Sequence, residues 1–289
     1  MESSSSLLNV VDAAQTSSSS AAALRRKRVD SIDDDDVSDL DGTRSSMFDG
    51  LDQWERNMFH IPLQSFAKNI YGLQTLMTCF GATCTGEILV CSFGLLCWTI
   101  SVNACVNGIW LVPVIEVLSG VIKWQFGRPR PGWNDPRVLI RSTSHEYSFP
   151  SSHAMLSWSL ATFMANYWYV NVGRFDLTLV PYPVYGLYFM ACMVSISRVF
   201  DGAHYVKDII VGGIIGRSFG LYHFTYIFPM VQTLTLHMSI FQMFGMGLSV
   251  TCLMLILTFF CYNKAIQTFH LIPTKWKLLS KVKNDDLQP

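Results

Sequence analysis

The sequence predicts an all-α fold, a polytopic membrane helical bundle with about six to seven transmembrane helices. Half of the 289 residues are apolar, and they are gathered in long runs. Several of these runs approach the ~20 residues that cross the hydrocarbon core of a bilayer. Most charged groups fall between the runs or at their ends. These observations favour helices that cross a bilayer.

The N-terminal part, residues 1–52, is predicted to be a disordered, Ser-rich and acidic cytoplasmic tail. Serine runs at Ser3–Ser6 and Ser17–Ser20 precede the basic quartet Arg25–Arg28 and the acidic run Asp33–Asp36. Such a composition cannot bury enough apolar surface to form a core.

The apolar segments follow in order after this tail. Residues 53–85 are predicted to form an interfacial helix that either leads into a first span or lies on the membrane throughout. The catalytic membrane domain is predicted over residues 86–228, with spans at 86–102, 105–122, 152–170, 178–197 and 206–226. Residues 229–263 are long enough for one span with an amphipathic approach or for two short spans. A basic C-terminal tail, 264–289, closes the chain and favours a cytoplasmic C-terminus.

A first cluster of cations follows the second firm span. It contains Lys123, Arg128 and Arg130, and the last two each precede a proline. Cations at a membrane edge often only contact lipid headgroups. The density of this cluster indicates more, because Arg offers a planar fork for phosphate oxygens and Lys offers a point charge.

A second cluster, Pro150-Ser151-Ser152-His153, opens the next apolar run. Proline followed by serines is typical of a helix start, with Ser151 as the N-cap. The exposed N–H groups of a helix N-terminus suit a phosphate, whereas an ordinary cap with an incidental histidine is the simpler alternative.

A third cluster contains Ser197, Arg198, His204 and Asp208. His204 and Asp208 are four residues apart and would share a face if this stretch is helical. A carboxylate there would bond one ring nitrogen and leave the other free to attack. A structural His–Asp pair at a helix start is the alternative.

Crossing parity brings the three clusters to the same face of the membrane. One loop joins the first cluster to the second, and two crossings separate the second from the third. Because an even number of crossings returns the chain to its starting side, the sequence predicts a single site.

The order and spacing of these motifs resemble those of the type 2 phosphatidic acid phosphatase superfamily, lipid phosphatases related to vanadium haloperoxidases. That signature is Lys, six residues, Arg-Pro; then Pro-Ser-Gly-His; then Ser-Arg, five residues, His, three residues, Asp. Lys123 with Arg130 fits the first motif, and Ser197-Arg198 with His204 and Asp208 fits the third. The second motif matches except that Ser152 stands where Gly is usual. The resemblance implies a haloperoxidase-like helical core.

The resemblance also implies roles for individual residues. His204 would be the nucleophile that forms a phosphohistidine, Asp208 would orient it, and His153 would be the general acid and base. The phosphate would be bound by Lys123, Arg130, Ser151, Ser152 and Arg198. No metal and no cofactor are implied.

The predicted function is therefore hydrolysis of a lipid phosphate or diphosphate: phosphatidate, a sphingoid-base phosphate or a polyisoprenyl (di)phosphate. The same phosphohistidine could pass its phosphoryl group to a lipid alcohol, which leaves a phosphotransferase as the alternative; a non-catalytic lipid-binding protein is a third class. The expected partners are the lipid substrate and the bilayer, with no nucleic acid. The predicted location is the endoplasmic reticulum or another endomembrane.

Overall fold

The computed structural model of the protein describes residues 49–84, 88, 102–135, 137–140, 146–172 and 181–269. Every regular element in these ranges is helical, which confirms the all-α class for the described part of the chain. Most of the predicted tail, nearly all of the predicted 86–102 span and residues 270–289 lie outside these ranges.

The described chain opens with a bent pair of helices. Helix α1 (Asp49–Glu55) continues through a π-helical turn at Arg56–His60 into α2 (Ile61–Asn69). Gly72, at a positive φ of 81°, then allows the turn into α3 (Leu73–Ala82). Helix α1 thus begins inside the segment predicted to be a disordered tail.

The remaining helices overlap four of the five predicted spans. They are α4 (Val102–Phe126), the short α5 (Pro131–Asn134), α6 (Ser152–Val172), α7 (Pro181–Phe200), α8 (Val206–Tyr222), a π-helical turn (His223–Ile227), α9 (Phe228–His237) and α10 (Ile240–Phe269). The predicted spans 105–122 and 152–170 lie within α4 and α6. Residues 229–263 are predicted to form either one span with an amphipathic approach or two short spans. The structure has the short helix α9 there, followed by most of the long helix α10.

Helix α6 lies at the centre of the bundle, packed against α4, α7 and α8. Between α4 and α6 the buried side chains of Ile115, Met155 and Leu156 form one apolar core. The backbones of α6 and α8 approach each other closely, because glycines of α8 face the backbone of α6. A Cβ at Gly216 would lie 2.1 Å from the Met155 carbonyl oxygen, and one at Gly220 would lie 2.4 Å from that of Ser159. This contact fixes the first two turns of α6 against the second half of α8.

Helices α2 and α3 pack on the C-terminal end of α7. Ala67, Met77 and Phe200 form a second buried cluster there. The side chain of Gln64 joins the same region by donating to the carbonyl oxygens of Leu139 and Phe200 (both 2.9 Å).

Within the described residues, one helix is both long enough and apolar enough to cross a membrane, namely Pro181–Phe200. The Leu248–Lys264 part of α10 is apolar but shorter. The larger number of spans therefore stays a prediction.

Candidate active site

Side chains from the three predicted clusters lie together where α4 ends and where α6 and α8 begin. The Lys123 ammonium donates to Ser152 Oγ (3.2 Å), which joins the first cluster to the second. The Ser151 N–H donates to the Asp208 carbonyl oxygen (3.2 Å), which joins the second to the third. The convergence expected from crossing parity is present in the structure.

His204 lies in the turn before α8, with only 2% of its surface exposed. Its Nδ1 is 2.7 Å from the carbonyl oxygen of Ser148. Because a carbonyl oxygen can only accept, Nδ1 carries the proton, and the neutral ring then keeps its lone pair on Nε2. Burial, together with the nearby cations Arg130 and Lys123, lowers the pKa of His204 well below its ordinary value. The ring is therefore neutral at physiological pH, as a nucleophile must be.

Asp208 does not contact the His204 ring, which differs from the predicted direct bond. Helix α8 begins only at Val206, so His204 and Asp208 do not share a helical face. The Asp208 carboxylate instead accepts from the Tyr205 N–H (3.1 Å), from Arg128 Nη1 (2.8 Å) and from the Ser148 hydroxyl. Asp208 thus holds Ser148, and the carbonyl of Ser148 holds His204.

Two of the predicted phosphate-binding cations, Lys123 and Arg130, are buried in the site. Lys123 is only 2% exposed and is paired with the carboxylate of Glu146. Arg130 donates from Nε to the Glu146 carbonyl oxygen (2.7 Å) and from Nη1 to that of Ala203 (3.3 Å). Burial lowers the pKa of Arg130 to about 10, so it remains charged at neutral pH.

The third cation, Arg198, is near the end of α7 and is paired with Asp201 three residues later. Both side chains are buried. A Cβ at Gly81 of α3 would lie 2.3 Å from Arg198 Nη2, so this glycine makes room for the guanidinium. Helix α3 therefore forms one wall around Arg198.

The second cluster has the predicted local geometry. The Ala154 N–H donates to Ser151 Oγ (3.4 Å), which confirms Ser151 as the N-cap of α6. Ser152 is buried and accepts from Lys123, so the serine in place of the usual glycine has a partner of its own. His153 is in the first turn of α6, and it interacts electrostatically with His204 and with the same cations.

Sequence reasoning missed a support for this site that comes from the π-helical turn Arg56–His60 and from α2. The buried ring of His60 has Nε2 3.0 Å from the His204 carbonyl oxygen and lies edge-on to the Tyr205 ring (5.8 Å between centroids). Gln64 also accepts from the Leu139 N–H (3.0 Å). These contacts fix the back of the turn that carries His204. An isolated His and Gln in a segment of mixed polarity gave no signal of this role.

A second missed group is a charged network behind Asp208. Asp52 of α1 is only 4% exposed and is paired with both Arg128 and Lys207. Arg128 in turn is paired with Asp208 and lies over the Tyr205 ring, 4.5 Å from its centroid. Arg128 therefore supports the site from behind.

Comparison with known families gives a match to the PAP2 superfamily over residues 94–232. Lipid phosphate phosphatase 1 of Arabidopsis thaliana is 28% identical over 147 residues, which cover 42% of this chain and 43% of that protein. Sphingosine-1-phosphate phosphatase 1 of Mus musculus is 31% identical over 111 residues, which cover 36% of this chain and 23% of that protein. The alignments thus span less than half the length of these curated relatives.

Among solved structures, the crystal structure of Aquifex aeolicus LpxE is similar, with 21% sequence identity and a TM-score of 0.43. The similarity covers 61% of this chain and 94% of that chain.

Proposed function

We propose that this chain, which matches the PAP2 superfamily over residues 94–232, is an integral membrane phosphohydrolase of that superfamily. It removes phosphate from a lipid phosphate monoester or diphosphate through a phosphohistidine at His204. The observation that carries the proposal is the His204 ring, whose Nδ1 faces a carbonyl oxygen and whose neighbours include three cations. The names of the relatives, a lipid phosphate phosphatase and a sphingosine-1-phosphate phosphatase, support the substrate class.

In the first step, His204 Nε2 attacks the terminal phosphorus. The bond that breaks runs from this phosphorus to the lipid oxygen of a monoester, or to the bridging oxygen of a diphosphate. His153 gives its proton to that oxygen, so the lipid leaves as an alcohol, or as a monophosphate if the substrate is a diphosphate. His204 Nδ1 keeps its proton and its hydrogen bond to the Ser148 carbonyl oxygen, which stabilises the ring as it becomes positively charged. Asp208 acts indirectly, by holding Ser148.

In the second step, His153 removes a proton from water, and the resulting oxygen nucleophile attacks phosphorus. The bond from phosphorus to Nε2 breaks, which releases inorganic phosphate and restores the neutral imidazole. Lys123, Arg130 and Arg198 bind the phosphoryl oxygens and stabilise the negative charge of both transition states. The hydroxyls of Ser151 and Ser152 line the same space.

The outer surfaces of the helices support a membrane location. Large apolar side chains on α7, α8 and α10 are exposed, including Tyr185, Phe189, Ile214, Phe259 and Phe260. Large exposed apolar patches are rare on soluble monomers and mark contact with membranes or partners, so these side chains favour a membrane location. A lipid substrate would keep its tail in the bilayer while its headgroup enters the cation site.

The experiment that tests the proposal is phosphate release from radiolabelled lipid phosphates by the purified protein in detergent micelles. We expect His204→Ala to abolish release and to abolish the acid-labile, base-stable labelled protein that a rapid quench traps from the wild type. His237→Ala, which removes an exposed histidine at the end of α9, is the matched control and retains both signals. Release by His204→Ala at the wild-type rate would refute the mechanism.

The same assay separates hydrolysis from phosphotransfer. Diacylglycerol or ceramide added as acceptor leaves the yield of inorganic phosphate unchanged for a hydrolase. A transferase would instead produce labelled acceptor lipid in its place.

A further inference from the structure

The carboxylate of Asp52, in α1, holds two cations that lie close to the start of α8. It is paired with Arg128 and with Lys207, and the residue is only 4% exposed. The two pairs join parts of the chain that are 76 and 155 positions apart. Breaking a buried pair leaves an uncompensated charge, which is strongly unfavourable. These contacts therefore fix α1 against the back of the site.

Arg128 connects Asp52 to Asp208. Its Nη2 is paired with the Asp52 carboxylate, and its Nη1 donates to the Asp208 carboxylate (2.8 Å). Because a guanidinium group is planar and rigid, a shift of the nitrogen at one carboxylate also moves the nitrogen at the other. The position of Asp52 therefore determines how Arg128 meets Asp208.

Asp208 transmits this restraint to the nucleophile. Its carboxylate accepts from the Ser148 hydroxyl, and the Ser148 carbonyl oxygen accepts from His204 Nδ1 (2.7 Å). A second route from Asp52 runs through Lys207, which directly precedes Asp208 in the first turn of α8. Both routes from α1 lead to Asp208.

Two further charged residues next to Asp52 face the same network. Glu55 is buried and interacts electrostatically with both cations. Arg56 donates from Nη1 to the Tyr205 hydroxyl (3.1 Å), and its Nε lies 3.4 Å from the Asp135 carboxylate. Both residues remain in Asp52→Asn, so the two cations keep a carboxylate nearby. The substitution therefore tests where the cations are held, and not whether they have a counterion.

We propose that Asp52 is a positioning residue for His204. It acts through Arg128 and Asp208, and not by contact with the substrate. The inference rests on the proposed function, because it takes His204 as the group that attacks phosphorus. It also makes α1 a working part of the active site, although α1 precedes the residues that match the PAP2 superfamily.

The test is a double-mutant cycle read out as kcat and KM for phosphate release. Asp52→Asn removes the charge at nearly constant shape. We expect it to lower kcat about tenfold at unchanged KM, because a misplaced nucleophile slows the chemical step without weakening the binding of phosphate. In the Asp208→Asn background the same substitution should change kcat by less than about twofold, since Asp52 acts through Asp208. Arg137→Gln removes an exposed partner of Asp135 and is the matched control that keeps the wild-type kcat.

Two outcomes of the cycle would overturn the assignment. One is a wild-type kcat in folded Asp52→Asn, and the other is an equal loss of kcat in both backgrounds. If Asp52→Asn does not fold, Arg128→Lys takes its place. That variant keeps the positive charge, but one ammonium nitrogen cannot occupy the separate positions of Nη1 and Nη2, so kcat should fall at unchanged KM. A wild-type kcat in Arg128→Lys would equally overturn the assignment.

Proton NMR of the His204 Nδ1–H separates this inference from the proposed function. The signal is identified by its absence from His204→Ala, and its position reports the hydrogen bond to Ser148. We expect it to shift in Asp52→Asn and to stay in place in Arg137→Gln. A shift in Asp52→Asn without hydrolysis by the wild type would refute the hydrolase and keep the positioning role. Hydrolysis that depends on His204, with neither a shift nor a loss of kcat in Asp52→Asn, would do the reverse.

Discussion

The contact between α6 and α8 predicts that one added methyl group at Gly216 disturbs catalysis from a distance. His153 is in the first turn of α6, and His204 lies two residues before the start of α8. In Gly216→Ala the new Cβ would lie 2.1 Å from the Met155 carbonyl oxygen, whereas ordinary contact begins at 3.4 Å. The obstructing atom is backbone, so side-chain rotation cannot relieve the clash. The two helices must therefore move apart by about 1 Å.

The magnitude follows from a matched substitution elsewhere in the bundle. Gly186 of α7 has no atom within 4 Å of its ideal Cβ, so Gly186→Ala adds the same methyl group in open space. Both variants gain the ~1 kcal/mol by which alanine favours a helix over glycine. Relative to Gly186→Ala, Gly216→Ala loses ~1–3 kcal/mol of stability through overpacking. A displacement of ~1 Å between the two histidines lowers kcat by as much as ~100-fold.

The assay is kcat for phosphate release together with the thermal unfolding midpoint, measured for both variants in the same detergent. Gly216→Ala should lose activity and unfold at a lower temperature than Gly186→Ala. Equal midpoints and equal kcat for the two variants would refute the reasoning, because the close approach of α6 and α8 would then not position the site.

Two further predictions concern the support and the protonation of His204. Asp208→Asn should lower kcat by ~10- to 100-fold with little change in KM, because it weakens all three contacts of the carboxylate. Ser148→Ala removes only one of those contacts and keeps the carbonyl that accepts from His204, so it should cost less, and a larger loss for Ser148→Ala would contradict this order. Because the pKa of His204 is lowered on folding, the folded protein binds fewer protons at this ring than the unfolded chain does. The neutral ring therefore contributes fully to stability above the unfolded pKa of ~6.5, and this contribution is lost as the pH falls below that value. In nitrogen NMR spectra of histidine-labelled protein, the signal absent from His204→Ala should remain that of a neutral ring at about pH 6, and protonation there would contradict the assignment.

The sequence predicted the convergence of the three clusters because parity depends only on the number of crossings. It also predicted the start of α6 at Ser152, since a Pro-Ser-Ser sequence specifies a cap through local chemistry alone. The number of crossings predicts on which side of the membrane a side chain lies. It does not predict which side chains contact each other. The pairing of Glu146 with Lys123 depends on the path of a loop, which apolar periodicity does not encode.

The partner of His204 shows a second limit of sequence reasoning. Its Nδ1 faces a backbone carbonyl, and every residue has one, so no side-chain pattern could identify Ser148. The spacing of His204 and Asp208 suggested a direct bond because a helix was assumed through both residues. The chain instead turns before Val206, and the carboxylate reaches the ring only through Ser148.

The contacts of His60 and Gln64 have a consequence for where the working unit of this protein begins. Both residues precede the part of the chain that matches the PAP2 superfamily, yet they pair with the backbone of His204 and of Phe200. A fragment cut at the edge of the family match would leave those buried carbonyl oxygens without their partners. The boundary drawn by homology is therefore not a boundary of folding, and a unit for expression or engineering includes the π-helical turn Arg56–His60 and α2.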